Sequence, residues 1–587
     1  MIRETSQYLA PKIADNTTNN SHNVFPSFQT SESIFEGYKS LALQLTEAPV
    51  IIVEGYIGVD FEEIVIGLIA HLNILGKRVG SINVQDFYKS HEDITNLTAP
   101  FLGGDDPVFG RKTSLQIGDY FNAQIKKVVL DEDADITIIY GVGASLCNIK
   151  GCLVYADVPK NEIQYRMRSN SILNLGLKEL KPHKQMYKHF YFVDWVVCND
   201  LKKRLLPFIE VFIDQQRPKN PTWMNGKGLR ASMAQMSTSV FRARPWFEPG
   251  VWGGDWMKKR FNQLNPNVPN YAWSFELIAP ENGVMIQNND LLLEVTFDLL
   301  MFAQQENILG KAAARFKDEF PIRFDFLDTY NGGNLSVQCH PTPAYIKKEF
   351  GENFTQDETY YILDAEKDTH VYLGFHEDIN QTEFKKVLED SFKTKKVINI
   401  ERYVQKIPSK KHDLFLIPHG TVHCSGINNM VLEISATPYI FTFKMYDWQR
   451  MDLEGQPRPL NIERAFENID FSRKGAVVED TLISKQYIQE CGEDWQKVHV
   501  PTHPDHFYDV LRYEFDTKIT IPTNGQCHIL MLVEGQQVAV EEKEGKSQVF
   551  NYAETFIVPA AAESYTLINK GTTRAKTIVS FVKESAC

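Results

Sequence analysis

Between Pro321 and Tyr446 the chain is cut into short runs rich in β-branched and aromatic residues: PIRFDFL, NLSVQCH, TYYILDA, HVYLGF, DLFLIP, MVLEIS and YIFTFKMY. The runs are set among Gly, Pro and Asn and read as strands, and their succession suggests a β-sandwich or barrel. The same rhythm returns from Lys518 onward in HILMLVEG, QQVAVEE, TFIVPA, SYTLINK and TIVSFV, which predicts a second, smaller barrel. Residues 288–320 have helical spacing of apolar side chains and are predicted to form a helical insert.

The upstream half follows another pattern. From about Ser40 to Asp214, short apolar runs such as PVIIVEGYIGVD, ADITIIYGVGA and GCLVYADVP alternate with longer amphipathic ones such as FEEIVIGLIAHLNILG. Short buried strands interleaved with helices imply a mostly parallel sheet covered on both faces, an α/β arrangement. A single core does not grow past ~250–300 residues, so 587 residues require two or three domains. The expected division is an extension over 1–40, an α/β domain over 41–214, a linker over 215–245, a first β domain over 246–480 and a closing barrel over 481–587. The linker, containing PKNPTWMNGKG, carries a short helix in RASMAQMSTSVFRA.

Charge narrows the function classes. A net charge of −13 gives no general attraction to nucleic acid or to an anionic membrane, and neither is expected as a partner. An anionic substrate therefore requires a local group of cations. The first residues lack a signal-peptide core and no apolar stretch reaches the ~18 residues of a membrane span, so a cytoplasmic location is expected. The eight cysteines form no CxxC pair and read as reduced thiols. Cys339 and Cys424 are taken as buried filler rather than ligands.

Chemistry is concentrated in four residues: Gln338 and His340 in NLSVQCHP, Glu358 in TQDETYYIL and His423 in IPHGTVHCSG. Gln338 and His340 are two apart on a predicted strand and leave it on one face. Nitrogen and oxygen donors of this kind suit a divalent metal, although a Gln–X–His pair on a strand is more often a satisfied polar pair. Spacing alone leaves both readings open.

The stretches VWGGDW, FLDTYNGGNLSVQCHP, DETYYIL, IPHGTVHCSG, VLEIS and YDWQRMDLEGQPRPLNIERA occur in an order and at gaps that resemble type I mannose-6-phosphate isomerases over about Trp252 to Phe466. The resemblance implies a fold of double cupin (jelly-roll) barrels, the first catalytic. It implies one zinc ion per chain held by Gln338, His340, Glu358 and His423. It further implies a sugar-phosphate substrate and interconversion of mannose 6-phosphate and fructose 6-phosphate through a cis-enediolate. Glu433 in VLEIS matches a family carboxylate at or near the general-base role; its other reading is a buried glutamate paired to a cation. Ser336 and Arg450 match substrate-phosphate contacts, and Arg450 without the match reads as a solvated surface arginine.

Two positions depart from the family. Lys444 stands where an arginine steadies the enediolate, and Gln356 replaces a lysine two residues before the glutamate ligand. Two other functions remain open on these residues: a metal-containing cupin that binds sugar phosphate as a regulator without turnover, and a bifunctional kinase–isomerase. The second arises because VIIVEGYIGVDFEEIV reads as a strand, a glycine turn and a helix, as in P-loop kinases. QDFYKS and DVPKNEIQYRMRSN, with Arg166 and Arg168, resemble the substrate segment and arginine-bearing lid of uridine kinases. Asp60 and Phe61 stand where a P-loop has glycine and lysine, so the domain reads as kinase-derived without phosphoryl transfer, which leaves regulatory binding of a nucleotide or simple scaffolding as its role. His528 in the closing barrel has no ligand partners at family spacing and reads as structural.

Overall fold

A computed structural model describes residues 2–15, 21–452, 455 and 458–587. Residues 453, 454, 456 and 457 of the YDWQRMDLEGQPRPLNIERA stretch lie outside the described residues.

The amino-terminal half is built on a seven-stranded sheet, with Val50–Gly55 between Cys152–Asp157 on one side and Ile136–Tyr140 on the other. These strands run parallel, as do Val79–Asn83 and Val211–Asp214 at the next positions outward. The reason lies in sequence: VIIVEG and ITIIY are buried at every residue, which only a sheet covered on both faces allows. The α/β reading is thus borne out. Thr222–Asn225, within the stretch read as a linker, adds antiparallel to Val211–Asp214, and the helix after it runs Gly226–Met236.

Two antiparallel sheets follow, as the strand pattern predicts. The six-stranded one has the order Leu414–Ile417, Glu358–Ala365, Asn429–Ala436, Ile322–Asp328, Trp273–Leu277, Trp246–Glu248. The five-stranded one has the order Val404–Pro408, His370–Phe375, His423–Ser425, Val337–Cys339, Phe443–Tyr446. The helical expectation for 288–320 holds for Phe297–Leu309 and Ala313–Phe316 but fails before them, where Leu291–Thr296 is a strand. It pairs antiparallel with Gly283–Asn288 across Asn289 and Asp290, and Asn289 takes the positive φ of a tight hairpin turn. A partner strand and an Asn-rich turn override the helical spacing.

The closing region forms a six-stranded and a four-stranded sheet around an apolar cluster that includes Phe515, Leu530, Val540, Phe556 and Leu567. It docks on the sheet before it: the Tyr508 hydroxyl donates to the Ile434 carbonyl at 2.7 Å. His528 is buried there, with Nδ1 3.0 Å from the Tyr565 hydroxyl. All eight cysteines are free.

Candidate metal centre and cavity

The two sheets meet through side chains set by strand register. In the five-stranded sheet Gln338 lies opposite both His423 and Lys444 across the two flanking strands, so the three side chains share a face. In the six-stranded sheet Arg323 and Glu358 both oppose Ser435, while Asp325 and Tyr360 both oppose Glu433. The alternation in IRFDFLD therefore sends Arg323 and Asp325 to the face that carries Glu358 and Glu433.

Three of the four expected ligands present donor atoms within 4.8 Å of one another: His340, Glu358 and His423. Glu358 Oε2 is 3.1 Å from His340 Nε2 and 3.4 Å from His423 Nε2. The Gln338 side-chain nitrogen lies 3.4 Å from His423 Nε2, which brings the fourth residue to the same place. His340 Nδ1 faces the Phe441 carbonyl at 3.0 Å and His423 Nδ1 faces that of Thr421 at 2.9 Å. Carbonyls only accept, so each Nδ1 carries a proton and Nε2 is the ring atom left to face the site. Among the described residues, His340 Nε2 and Glu358 Oε2 make no hydrogen bond despite complete burial. Bare donor atoms converging in a buried place fit a divalent cation.

The turn ahead of His423 depends on Gly420. Its φ is +76°, and a Cβ there would stand 2.5 Å from the Asn468 carbonyl oxygen. Cys339 turns away from the site, its sulfur 3.9 Å from the Ala465 carbonyl oxygen.

Around the ligands lies a charged group the sequence reading missed. Arg323 pairs with Glu433, contacts Glu358 Oε1 at 3.3 Å and Asp325 at 3.3 Å, and donates to Ser435 Oγ at 2.6 Å. Gln356, at the departing position, donates to Glu358 Oε1 at 2.6 Å. Burial pushes the Glu433 carboxyl up to about 7, the Glu358 charge adds to the rise, and Arg323 opposes it. Burial also raises Glu358, but His340 and His423 outweigh it and hold that carboxylate well below its usual range.

A cavity of about 1040 Å³ opens beside this group, lined by Gln338, Glu358, Arg323 and Glu433 and by Lys444, Ser336 and Arg458. The Lys444 ammonium has no hydrogen-bond or ion-pair partner among the described residues. Burial, then the charge of Arg458, push it down to about 7. Ser336 Oγ donates to Asp447 at 2.7 Å, and Arg458 and Arg450 reach the same carboxylate at 2.9 and 2.5 Å. Arg450 also donates to the Asn334 carbonyl at 2.6 Å and packs behind Asp447 rather than on the cavity lining, where Arg458 is found instead. Two arginines share one carboxylate and Lys444 stands unpaired among the described residues, an excess of positive charge beside open space. Alternation exposes Arg323 and Asp325 in the sequence; no local signal marks Arg458.

In the amino-terminal half, the turn after Gly55 leads into the helix Phe61–Ile74, whose start is capped by the chain itself. Asp60 Oδ1 accepts from the Glu63 backbone N–H at 3.1 Å, where the P-loop resemblance places a phosphate.

Residues 37–238 match a family described as a domain of unknown function, DUF8485. A mannose-6-phosphate isomerase of Streptococcus mutans serotype c is 28% identical over 217 residues, which is 37% of this chain and 63% of that protein. This chain thus spans less than two thirds of the length of that relative. Mannose-6-phosphate isomerase ManA of Bacillus subtilis is 26% identical over 235 residues, covering 40% of this chain and 69% of the relative. The crystal structure of the mannose 6-phosphate isomerase from Bacillus subtilis aligns with a TM-score of 0.49 and 20% identity, over 58% of this chain and 99% of that one.

Proposed function

We propose that the chain is an aldose–ketose isomerase that interconverts mannose 6-phosphate and fructose 6-phosphate with one zinc ion held by Gln338, His340, Glu358 and His423. The observation that carries this reading is the convergence of His340 Nε2, His423 Nε2 and Glu358 Oε2 on one point, beside a cavity lined by a lysine with no partner among the described residues. The similarity to mannose-6-phosphate isomerases supports it. A bound zinc ion supplies Lewis-acid stabilisation to negative charge that develops on substrate oxygens. A half-turn of the Gln338 amide exchanges its nitrogen for a donor oxygen.

The remaining chemistry belongs to the chain. Glu433, raised to about 7, is suited to take a proton from one substrate carbon and return it to the next near neutral pH. Arg323 fixes that carboxylate, and Ser435 Oγ donates to it at 3.0 Å. Lys444, Arg458 and Ser336 supply the charge and donors for a phosphate dianion. Trp252 and Trp273, edge to face at 4.7 Å, give the cavity a flat apolar wall that excludes water from one side of the sugar.

The test is a coupled assay on purified, zinc-loaded protein with a panel of sugar phosphates. Mannose 6-phosphate is converted to fructose 6-phosphate by the native chain, and His340→Ala lowers the bound metal several-fold and the rate by at least about a hundredfold. Tight binding without turnover by the native chain replaces this reading with the regulatory one.

A further inference from the structure

The arginine-bearing segment singled out in the sequence forms a buried helix. The helix Lys160–Arg168 is buried from Lys160 to Met167, and Arg166 ties it down: Nη1 donates to the Gly58 carbonyl at 2.7 Å and to Gln215 Oε1 at 2.9 Å, and Nη2 to the Gln215 carbonyl at 2.8 Å. Five N–H donors in a rigid fork, three of these contacts formed out of water, hold the helix in one position. Its other face looks into the cavity beside the proposed zinc site. Gln164 and Arg168, one helical turn apart, both line that cavity, together with Tyr187 from the next helix.

These side chains are held from the opposite wall. Gln164 Nε2 donates to Glu281 Oε2 at 2.6 Å, and the other oxygen of Glu281 accepts from Tyr187 at 2.9 Å and from Tyr439. Arg168 Nη1 reaches both oxygens of Glu248, at 3.1 and 3.3 Å. The extended amino-terminal segment runs over the same helix. Arg3 forks onto Glu162 at 2.9 and 2.8 Å, the Glu4 N–H donates to the Tyr165 carbonyl at 2.9 Å, and Asn265 donates to the Ser6 carbonyl at 2.7 Å. Glu4, Thr5, Ser6 and Gln7 all border the cavity, Glu4 and Ser6 exposed and Thr5 and Gln7 half-buried.

We propose that this segment and the 160–168 helix form a fixed wall of the sugar-phosphate pocket, and that Gln164 and Arg168 determine which sugar phosphates it accepts; the proposal rests on the isomerase reading above. A wall of carboxamide, guanidinium and hydroxyl groups matches the hydroxyl-bearing carbons of an aldose phosphate. At about 1040 Å³ the cavity lies at the upper end of the ~300–1,000 Å³ typical of small-molecule pockets. The amino-terminal half lines one side of it through Gln164, Arg168 and Tyr187. The kinase-like domain thus contributes specificity to the isomerase site.

The experiment measures kcat and KM of the zinc-loaded full chain for mannose 6-phosphate and ribose 5-phosphate, with calorimetric binding of each. Arg168→Met and Gln164→Leu keep side-chain bulk, and Arg3→Ala frees the segment from Glu162 without touching the cavity floor. Each of the first two raises KM for mannose 6-phosphate roughly tenfold, the loss of one polar contact, with kcat and zinc content unchanged. They also change the ratio of kcat/KM between the two sugars; Arg3→Ala shifts KM in the same direction by less. Native KM values and an unchanged sugar preference in both Arg168→Met and Gln164→Leu overturn the wall while leaving the isomerase standing. A native chain that neither binds nor converts any sugar phosphate overturns the isomerase reading first, and the wall with it.

Discussion

Arg323 is one cation among three buried carboxylates, Asp325, Glu358 and Glu433. Such a group is costly to bury unless further positive charge arrives, and burial pushes both the Asp325 and Glu433 carboxyls up. On the proposed function, a divalent cation on Glu358 would supply that charge, and Arg323 and the metal would be joint counter-ions of one cluster. Arg323→Met should therefore cost about 3–5 kcal/mol of stability, because it leaves carboxylates buried without their partner. It should also weaken zinc binding about 10–100-fold, since Arg323 orients the ligand Glu358. Denaturant unfolding and a competitive zinc titration check the two effects, and Arg323→Lys should recover part of each. Unchanged affinity in Arg323→Met would show that the ligand holds its place unaided.

At the scale of elements, the amino-terminal half and the β region are joined by an ionic lock. Lys202 sits 2.8 Å from Asp157 and 3.2 Å from Asp298, and Lys160 reaches the other oxygen of Asp298 at 2.5 Å. Lys202 also lies 4.1 Å from the centre of the Tyr56 ring. Asp298 opens the helix Phe297–Leu309, while Asp157, Lys160 and Lys202 belong to the α/β half. Lys202→Met should destabilise the protein by about 3–5 kcal/mol, and the double change with Asp298→Leu by less than the sum of the two. Chemical unfolding of the three variants measures this. Most strands here were legible, since VIIVEG and ITIIY are mostly apolar and IRFDFLD alternates. Leu291–Thr296 was not, because LLLEVT runs directly into a true helix and only its partner Gly283–Asn288 distinguishes it. Spacing placed only Gln338 and His340 together, since residues two apart share a face; Glu358 and His423 came from the family resemblance.

Across the whole molecule one apolar cluster runs from Val24 through both β sheets to Val582, so the α/β half, the first β region and part of the closing barrel share a core. Acid should loosen this body. Burial, the first cause in each case, pushes His370, His412 and His528 down to about 4. Each is neutral when folded yet takes up a proton near its ordinary ~6.5 when unfolded, so the unfolded chain binds more protons between those values. Stability is therefore complete above about pH 6.5 and is lost as pH falls toward 4. For His528 this amounts to about 2 kcal/mol at pH 5, at ~1.36 kcal/mol per unit. The thermal midpoint should drop between pH 7 and pH 5, and His528→Gln should flatten part of that slope. A midpoint independent of pH over this range would contradict it.

Periodicity along the chain was enough to place Gln338 and His340 on one strand face, to separate a parallel α/β half from an antiparallel β half, and to mark the Asp60 position as unlike a phosphate loop. Those properties are local: each depends on residues within one element, whose side-chain directions follow from backbone geometry. Folding decided that Arg323 would serve three carboxylates, that Arg458 rather than Arg450 would face the cavity, and that Gln164 and Arg168 of the Lys160–Arg168 helix would line it. Each of these depends on which distant face meets which, and that is settled by packing between surfaces far apart in sequence, where no period in the chain carries the information.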